Sequence, residues 1–297
     1  MTQRITIYDT TLRDGSQTEG ISFTVKDKIK ITEKLDDLGV HYIEGGWPGS
    51  NPKDKEFFKI MKTKKLHNAL LAAFGSTRRA KVKPAEDINL RELINSQAPT
   101  LTIFGKSWDL HVTDVIKTTL DENLAMIYDS VAYLKSKKRE VFYDAEHFFD
   151  GSKRNFEYAL KSISAAQDAG ADCIILCDTN GGTLPEEVRQ IVGEVRAKIK
   201  APMGIHTHND LDMAVANSLA AIEMGCTQVQ GTFNGLGERC GNADLCTIIG
   251  ILHTKMNRKS ISDAQVKKLM ETSYFLSEIS NFKLPDNHPF VGHSAFA

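Results

Sequence analysis

Short runs rich in β-branched and aromatic residues alternate along this chain with longer stretches of helical period, and the alternation repeats about eight times. The candidate strands cover residues 5–9, 42–44, 70–74, 100–104, 140–143, 173–177, 203–206 and 228–232. Their spacing averages roughly thirty residues, the length of one strand–helix unit. Such alternation implies a parallel sheet, and eight units within about 255 residues imply an α/β fold of the closed (β/α)8 TIM barrel type. An open doubly wound sheet is the structural alternative. Helix ends carry their own signals: Thr24 ahead of Val25-Lys26-Asp27 is an expected N-cap, and Gly39 and Gly170 are expected C-caps. With 297 residues, 41% of them hydrophobic, the chain is long enough for one large core. The expected organisation is a barrel catalytic domain over residues 1–270 and a C-terminal extension over 271–297.

Charge and composition narrow the partners. A net charge of -1 gives no general attraction for nucleic acid or for an anionic membrane. No run approaches the roughly 20 apolar residues that span a bilayer, and Met1-Thr2-Gln3-Arg4 leads into a strand without the apolar stretch of a signal peptide. A cytoplasmic location is therefore expected. Cys173, Cys177, Cys226, Cys240 and Cys246 are odd in number and show no paired zinc spacing, so they read as reduced thiols, most of them buried.

A barrel gives the polar residues at strand ends a meaning, because the C-terminal ends of its strands converge on one opening where catalytic groups collect. Asp9 to Gly15 follow the first strand, Glu44 ends the second, Glu146 follows the fifth, Asp178-Thr179-Asn180 close the sixth, and His206 and His208 end the seventh. Residues two apart on a strand share a face, so both imidazoles can turn inward while Thr207 faces the helices. With Asp14 across the rim, one carboxylate and two imidazoles form a minimal divalent-metal set that leaves positions open for a substrate. Asn242, in the glycine-rich loop after the eighth strand, is either a weak further ligand or a turn residue. Arg13 either stabilises an oxyanion developing beside the metal or forms a structural ion pair with Asp9 or Glu44.

At these residues the chain resembles a known family. Asp9-Thr10-Thr11-Leu12-Arg13-Asp14-Gly15-Ser16-Gln17, His206-Thr207-His208-Asn209-Asp210 and Gly235-Leu236-Gly237-Glu238-Arg239-Cys240-Gly241-Asn242-Ala243 resemble the DRE-TIM metallolyases. Within them the likeness is to the Claisen-condensing synthases, the isopropylmalate, homocitrate and citramalate synthases, with hydroxymethylglutaryl-CoA lyase more distant. Gly105-Lys106-Ser107-Trp108 and the run from Tyr143 to Gly151 are most similar to the citramalate branch. Two features depart from the pattern. Ser16 stands where Glu or Asn is common, and the Ser-Pro-Glu-Asp-Ala string of isopropylmalate synthases after the fifth strand is absent, which argues against a branched-chain 2-oxoacid.

The resemblance implies an acyltransferase that joins pyruvate to acetyl-CoA and hydrolyses the thioester, giving citramalate and CoA for isoleucine biosynthesis. It implies a divalent ion (Mn2+, Mg2+, Co2+ or Zn2+) on Asp14, His206 and His208, with Asn242 as a further candidate, and Arg13 on the developing alkoxide. Thr179 is expected to donate to the pyruvate carboxylate, with Gln17 and Tyr143 shaping the same pocket. Glu146 is the candidate base for the thioester methyl or the group that orients it; its alternative is a carboxylate holding Arg13 or a histidine. Glu44 is expected beside the substrate, locking a liganding histidine or arginine. Phe74, Ile103 or Phe104 would plug the pocket to suit a methyl group. Phe74, Gly237, Arg239 and Gly241 are candidates to meet CoA, and Arg78 and Arg79 to meet its phosphates. A homodimer is implied as well. In such synthases a linker subdomain opens near Pro285 to Gly292 and a regulatory domain follows, so a truncated or naturally short catalytic core is expected. The alternatives are an isopropylmalate or homocitrate synthase, a hydroxymethylglutaryl-CoA lyase-like lyase or aldolase using Cys240, or a non-catalytic scaffold.

Overall fold

In the computed structural model, which describes residues 4–296, eight parallel strands close into a barrel in sequence order. They are β1 (Thr6–Asp9), β2 (Tyr42–Gly46), β3 (Leu70–Ser76), β4 (Thr100–Lys106), β5 (Glu140–Glu146), β6 (Cys173–Asp178), β7 (Met203–Thr207) and β8 (Gln228–Gly231). β8 pairs with β1 over Thr6–Gln228 to Asp9–Gly231, which closes the sheet. The crossover helices are α1 (Val25–Leu38), α2 (Pro52–Met61), α3 (Ile88–Ser96), α4 (Leu120–Ser136), α5 (Phe148–Asp168), α6 (Pro185–Arg196), α7 (Ala214–Glu223) and α8 (Leu245–Thr254). The expected TIM barrel is present, and several strands run two or three residues beyond the sequence-based bounds toward the rim.

The helix signals act as read. Thr24 accepts from Asp27 N while the Asp27 carboxylate accepts from Thr24 N, a capping box that starts α1, and Gly39 ends it in the left-handed region at φ 91°. α5 ends one residue earlier than expected, with Ala169 at its cap and Gly170 next at φ 91°.

Period-two alternation divides each strand between two environments. Ile7, Ile43, Leu101, Ile103, Val141, Ile174, Leu176, Ile205 and Val229 turn outward and join the continuous core beneath the helices. Tyr8, Ala72, Phe142, Cys173, Ile175 and Cys177 turn inward and fill the barrel below the rim. Above that plug the inward positions become polar, and this change of composition opens a cavity at the C-terminal ends of the strands.

Beyond α8 the chain forms α9 (Asp263–Val266) and α10 (Leu269–Ser280). The expected boundary at residue 270 falls inside α10, whose Ser273 exchanges hydrogen bonds with Asn234 in the loop after β8. Farther on, His288 Nε2 lies 3.0 Å from Asp244 Oδ2 and Val291 is buried, so this segment packs on the barrel.

Candidate active site

Three side chains from the two strands that flank β8 meet at one point. Asp14 sits on a tight turn after β1, where the amides of Arg13, Asp14 and Gly15 all donate to Thr10 O. His206 lies within β7 and His208 just beyond it, their rings on the same face, while Thr207 turns to α7 and donates to Ala214 O. The two Nε2 atoms are 3.1 Å apart and lie 3.4 and 3.9 Å from Asp14 Oδ2. Donors held about 2.1 Å from one ion at right-angled or tetrahedral positions stand about 3.0–3.4 Å apart, so this trio fits a common divalent ion with small adjustment. A second observation agrees: Asp14 Oδ1 and Asn242 Oδ1 are buried acceptors without a hydrogen-bond partner. The Asn242 amide group is anchored on Leu236 O, and its backbone pairs with His208.

The ligand orientation is set by neighbours. His206 Nδ1 is 3.0 Å from Gln230 Oε1, and Gln230 Nε2 donates to Asp144 Oδ1 at 3.1 Å. The Gln230 carbonyl can only accept, so His206 carries its proton on Nδ1 and presents Nε2 to the site. His208 differs, because Arg239 Nη2 donates to its Nδ1 at 2.8 Å and leaves the proton on Nε2. Nε2 becomes a ligand once that proton moves to Nδ1, which requires Arg239 Nη2 to turn away; Glu238 Oε1, 3.9 Å from Nδ1, lies beyond hydrogen-bond reach and would have to close in to accept it.

The electrostatics of the trio are strongly perturbed. Burial alone would raise Asp14, yet the Arg13 cation and the His206 hydrogen bond hold it well below the usual carboxylate range. Burial works against a charge on His206, but Asp14 overrides it and raises that imidazole. Burial and then the charge of His206 push His208 down to about 3. Asp144 moves the other way, to about 7, through burial and the nearby Glu44 charge.

Arg13 is held on both sides. Its Nε donates to Glu44 Oε2 at 2.5 Å and its Nη1 to Asp14 Oδ2 at 2.9 Å, while its guanidinium carbon lies 3.9 Å from the Phe74 ring centre. Glu44 is fully buried and also accepts from the Tyr8 and Thr10 hydroxyls. Both sequence readings of Arg13 are thus compatible: it pairs with Glu44 and still borders the cavity. Glu146 lies opposite Lys106 in the β4–β5 register and forms an ion pair with it. Thr179 Oγ1 accepts from His147 N, which leaves its hydroxyl proton available. The cavity measures about 190 Å3 and is bordered by Arg13, Asp14, Gln17, Phe74, Phe104, Asp144, Glu146, Cys177, Thr179, His206, His208 and Glu238. Drug-sized ligands need about 300 Å3 or more, so this space suits a small molecule.

The profile of the HMGL-like family matches residues 4–276. This chain belongs to the HMGL-like family. It is 59% identical to an (R)-citramalate synthase of Geobacter sulfurreducens over 293 residues, 99% of this chain and 56% of that protein. Identity is 57% to the (R)-citramalate synthase of Aquifex aeolicus, covering 100% of this chain and 56% of the relative. The 2-isopropylmalate synthase 1 of Caldanaerobacter subterraneus is more distant at 36%, covering 99% of this chain and 73% of that enzyme. The chain therefore spans little more than half the length of the citramalate synthases it matches. Among solved structures, the HMG-CoA lyase of Bacillus subtilis superposes with a TM-score of 0.79 at 21% identity, covering 95% of this chain and 96% of the lyase, a likeness of fold.

Not every residue singled out from sequence reaches the cavity of this HMGL-like barrel. Tyr143 and Ile103 occupy outward positions of β5 and β4 and are buried under the helices, one residue out of phase with Asp144, Glu146 and Phe104. Arg78 is engaged by Glu122 and Asp129. In the loop expected to offer free amides to CoA, two glycine amides are already engaged: Gly237 N donates to Thr18 Oγ1 and Gly241 N to Glu238 O. A Cβ on Gly241 would stand 2.0 Å from Gly235 O, so that glycine, at φ 89°, serves close packing within the loop. Arg239 is bound to Asp210, Glu238, Thr179 O and His208. Sequence reading missed Asp144, Gln230, Glu238 and Cys177. For Asp144 the signal was present, since placing Glu146 inward on a strand places Asp144 inward too.

Proposed function

We propose that this chain is the catalytic barrel of a citramalate synthase, which condenses acetyl-CoA with pyruvate and hydrolyses the thioester to give citramalate and CoA. The observation that carries the reading is the convergence of Asp14, His206, His208, Arg13 and Glu146 on one small cavity. Identities of 59% and 57% to citramalate synthases across the whole chain, against 36% to an isopropylmalate synthase, support the choice of 2-oxoacid. Asp14, His206 and His208, with the unpartnered Asn242 Oδ1 as a further candidate, would hold a divalent ion of the Mn2+, Mg2+, Co2+ or Zn2+ type, which when bound would polarise the ketone of pyruvate.

The protein's own residues supply the remaining chemistry. Thr179 donates to the pyruvate carboxylate, and Phe74 and Phe104, whose rings stack 5.4 Å apart, close the space beyond the methyl group. Glu146 takes a proton from the thioester methyl, and the resulting carbon attacks the ketone carbon. Arg13, fixed by Glu44, faces the oxygen that gains charge as that bond forms. Water then cleaves the thioester and releases the CoA thiol. A lyase using Cys240 is not favoured, because that thiol is exposed and does not border the cavity. The reading carries with it a role in isoleucine biosynthesis, a cytoplasmic setting and a homodimer.

Calorimetric titration of pyruvate, 2-oxoisovalerate and 2-oxoglutarate into the metal-stripped chain, with and without Mn2+, tests the proposal. Mn2+-dependent binding with pyruvate preferred is the expected result. Preference for a larger oxoacid moves the chain to a sibling synthase, and binding indifferent to metal refutes the site. Glu146→Gln should keep that binding and stop solvent deuterium exchange into the acetyl-CoA methyl.

A further inference from the structure

Trp47 is the first residue beyond β2 and does not border the metal cavity, yet two rings that do border it pack against its indole. Phe74 and Phe104, near the ends of β3 and β4, stack with their centres 5.4 Å apart and their planes 18° apart. The Trp47 ring meets each of them at 5.7 Å and nearly at a right angle, 86° to Phe74 and 83° to Phe104. Aromatic pairs favour this arrangement, in which the positive edge of one ring meets the negative face of another. Phe74 also carries the Arg13 guanidinium 3.9 Å from its centre, so a shift of this ring would disturb both the cavity wall and Arg13.

The residue is itself fixed at two points. Its Nε1 donates to Asn89 Oδ1 at 2.8 Å, and Asn89 Nδ2 donates at 2.6 Å to the carbonyl of Ser76, the last residue of β3. Gly75 makes room for that amide, since a Cβ there would stand 2.8 Å from Asn89 Oδ1. At the backbone, Trp47 N donates to Asp54 Oδ2 at 2.9 Å. Asp54 is buried in an ion pair with Lys28, whose Nζ also donates to Gly45 O at 3.0 Å. These bonds hold the plane of a ring that is only partly buried, and a held plane is what a rigid backing requires.

We propose that Trp47, oriented by Asn89, is a positioning residue that sets the size limit of the 2-oxoacid pocket: it backs Phe74 and Phe104 so that they do not yield to a side chain longer than a methyl. The proposal rests on the oxoacid reading above and adds to it a residue that acts through the two phenyl rings. Without a backing, rings at the cavity edge can move to other rotamers and release space. One methylene is worth only about 10- to 200-fold even in a well-formed apolar pocket, so a wall that yields forfeits most of the discrimination.

Calorimetric titrations of pyruvate, 2-oxobutyrate and 2-oxoisovalerate into the chain loaded with Mn2+ test this. The readout is the ratio of affinities, which a merely structural role would not move, because all three acids share the carboxylate and the ketone. In Trp47→Ala the affinity for 2-oxobutyrate relative to pyruvate should rise about tenfold or more. Asn89→Ala keeps the indole but frees its plane, and should raise the same ratio severalfold. Asn89 is partly buried in the first turn of α3, so this variant decides the matter if Trp47→Ala does not fold. Ratios within twofold of the parent in both variants would overturn the assignment, and so would an equal weakening of all three acids. Binding indifferent to Mn2+ would refute the metal site, while the ratios still decide the role of Trp47. A parent chain that binds none of the three acids would overturn both.

Discussion

Gln230 contacts no substrate, yet it should control metal affinity. The residue is fully buried on β8, accepts the Nδ1 proton of His206 at 3.0 Å and donates to Asp144 at 3.1 Å. Gln230→Leu keeps the volume but leaves the His206 N–H without an acceptor and frees the ring to adopt the other tautomer, which presents a proton to the ion. An unsatisfied buried donor costs about 1–3 kcal/mol, and about 1.4 kcal/mol is tenfold in affinity, so Mn2+ binding should weaken about five- to 150-fold. That range overlaps the loss of about 10- to 100-fold usual for partners of liganding histidines. Calorimetry of Mn2+ on the metal-stripped variant measures it. Gln228→Leu is the control, since Gln228 is two residues earlier on the same inner face and has an unpartnered Oε1. An affinity for Gln230→Leu within twofold of the parent would refute the relay, as would an equal loss in Gln228→Leu.

Two other outcomes follow from the same network. Because Asp14 raises His206 above the ordinary imidazole value of 6.5, and a ligand must be deprotonated to bind metal, Mn2+ affinity should fall as pH drops from about 8 to about 6. Asp14, held well below the usual carboxylate range, stays ionised throughout, so a pH-independent affinity would rule out His206 as a ligand. Arg13→Ala removes the cation from fully buried Glu44 and should cost about 3–5 kcal/mol in denaturant unfolding, with part of it recovered by adding Glu44→Gln. An unchanged unfolding midpoint would show that the pair is not structural.

The barrel was legible because its determinants are local: eight β-rich runs, the helical stretches between them, and caps such as Thr24 and Gly39 each follow from short-range propensity and backbone sterics. The metal trio was legible for a related reason. Period two along β7 places His206 and His208 on one face, and strand ends in a closed barrel converge. The same rule, applied strictly to β5, selects Asp144 and Glu146 and turns Tyr143 away, so that misplacement came from the reading and not from hidden information. Gln230 carried no chemical signal, because an amide on a strand is ordinary until the fold sets it against an imidazole and a carboxyl.

By itself, then, the sequence determined the elements, their order, their closure into a barrel, and the residue types that gather at its rim. Only the tertiary structure decided which of those groups are free to act. Arg78, Arg239 and the amides of Gly237 and Gly241 read as available donors, and each proved engaged, by partners such as Glu122, Asp210 and Thr18. The contact of Trp47 with Phe74 and Phe104 likewise exists only where the ends of β2, β3 and β4 come together. A residue's charge and hydrogen-bonding capacity are written in its type, but whether they are already spent depends on neighbours that the chain brings close only by folding.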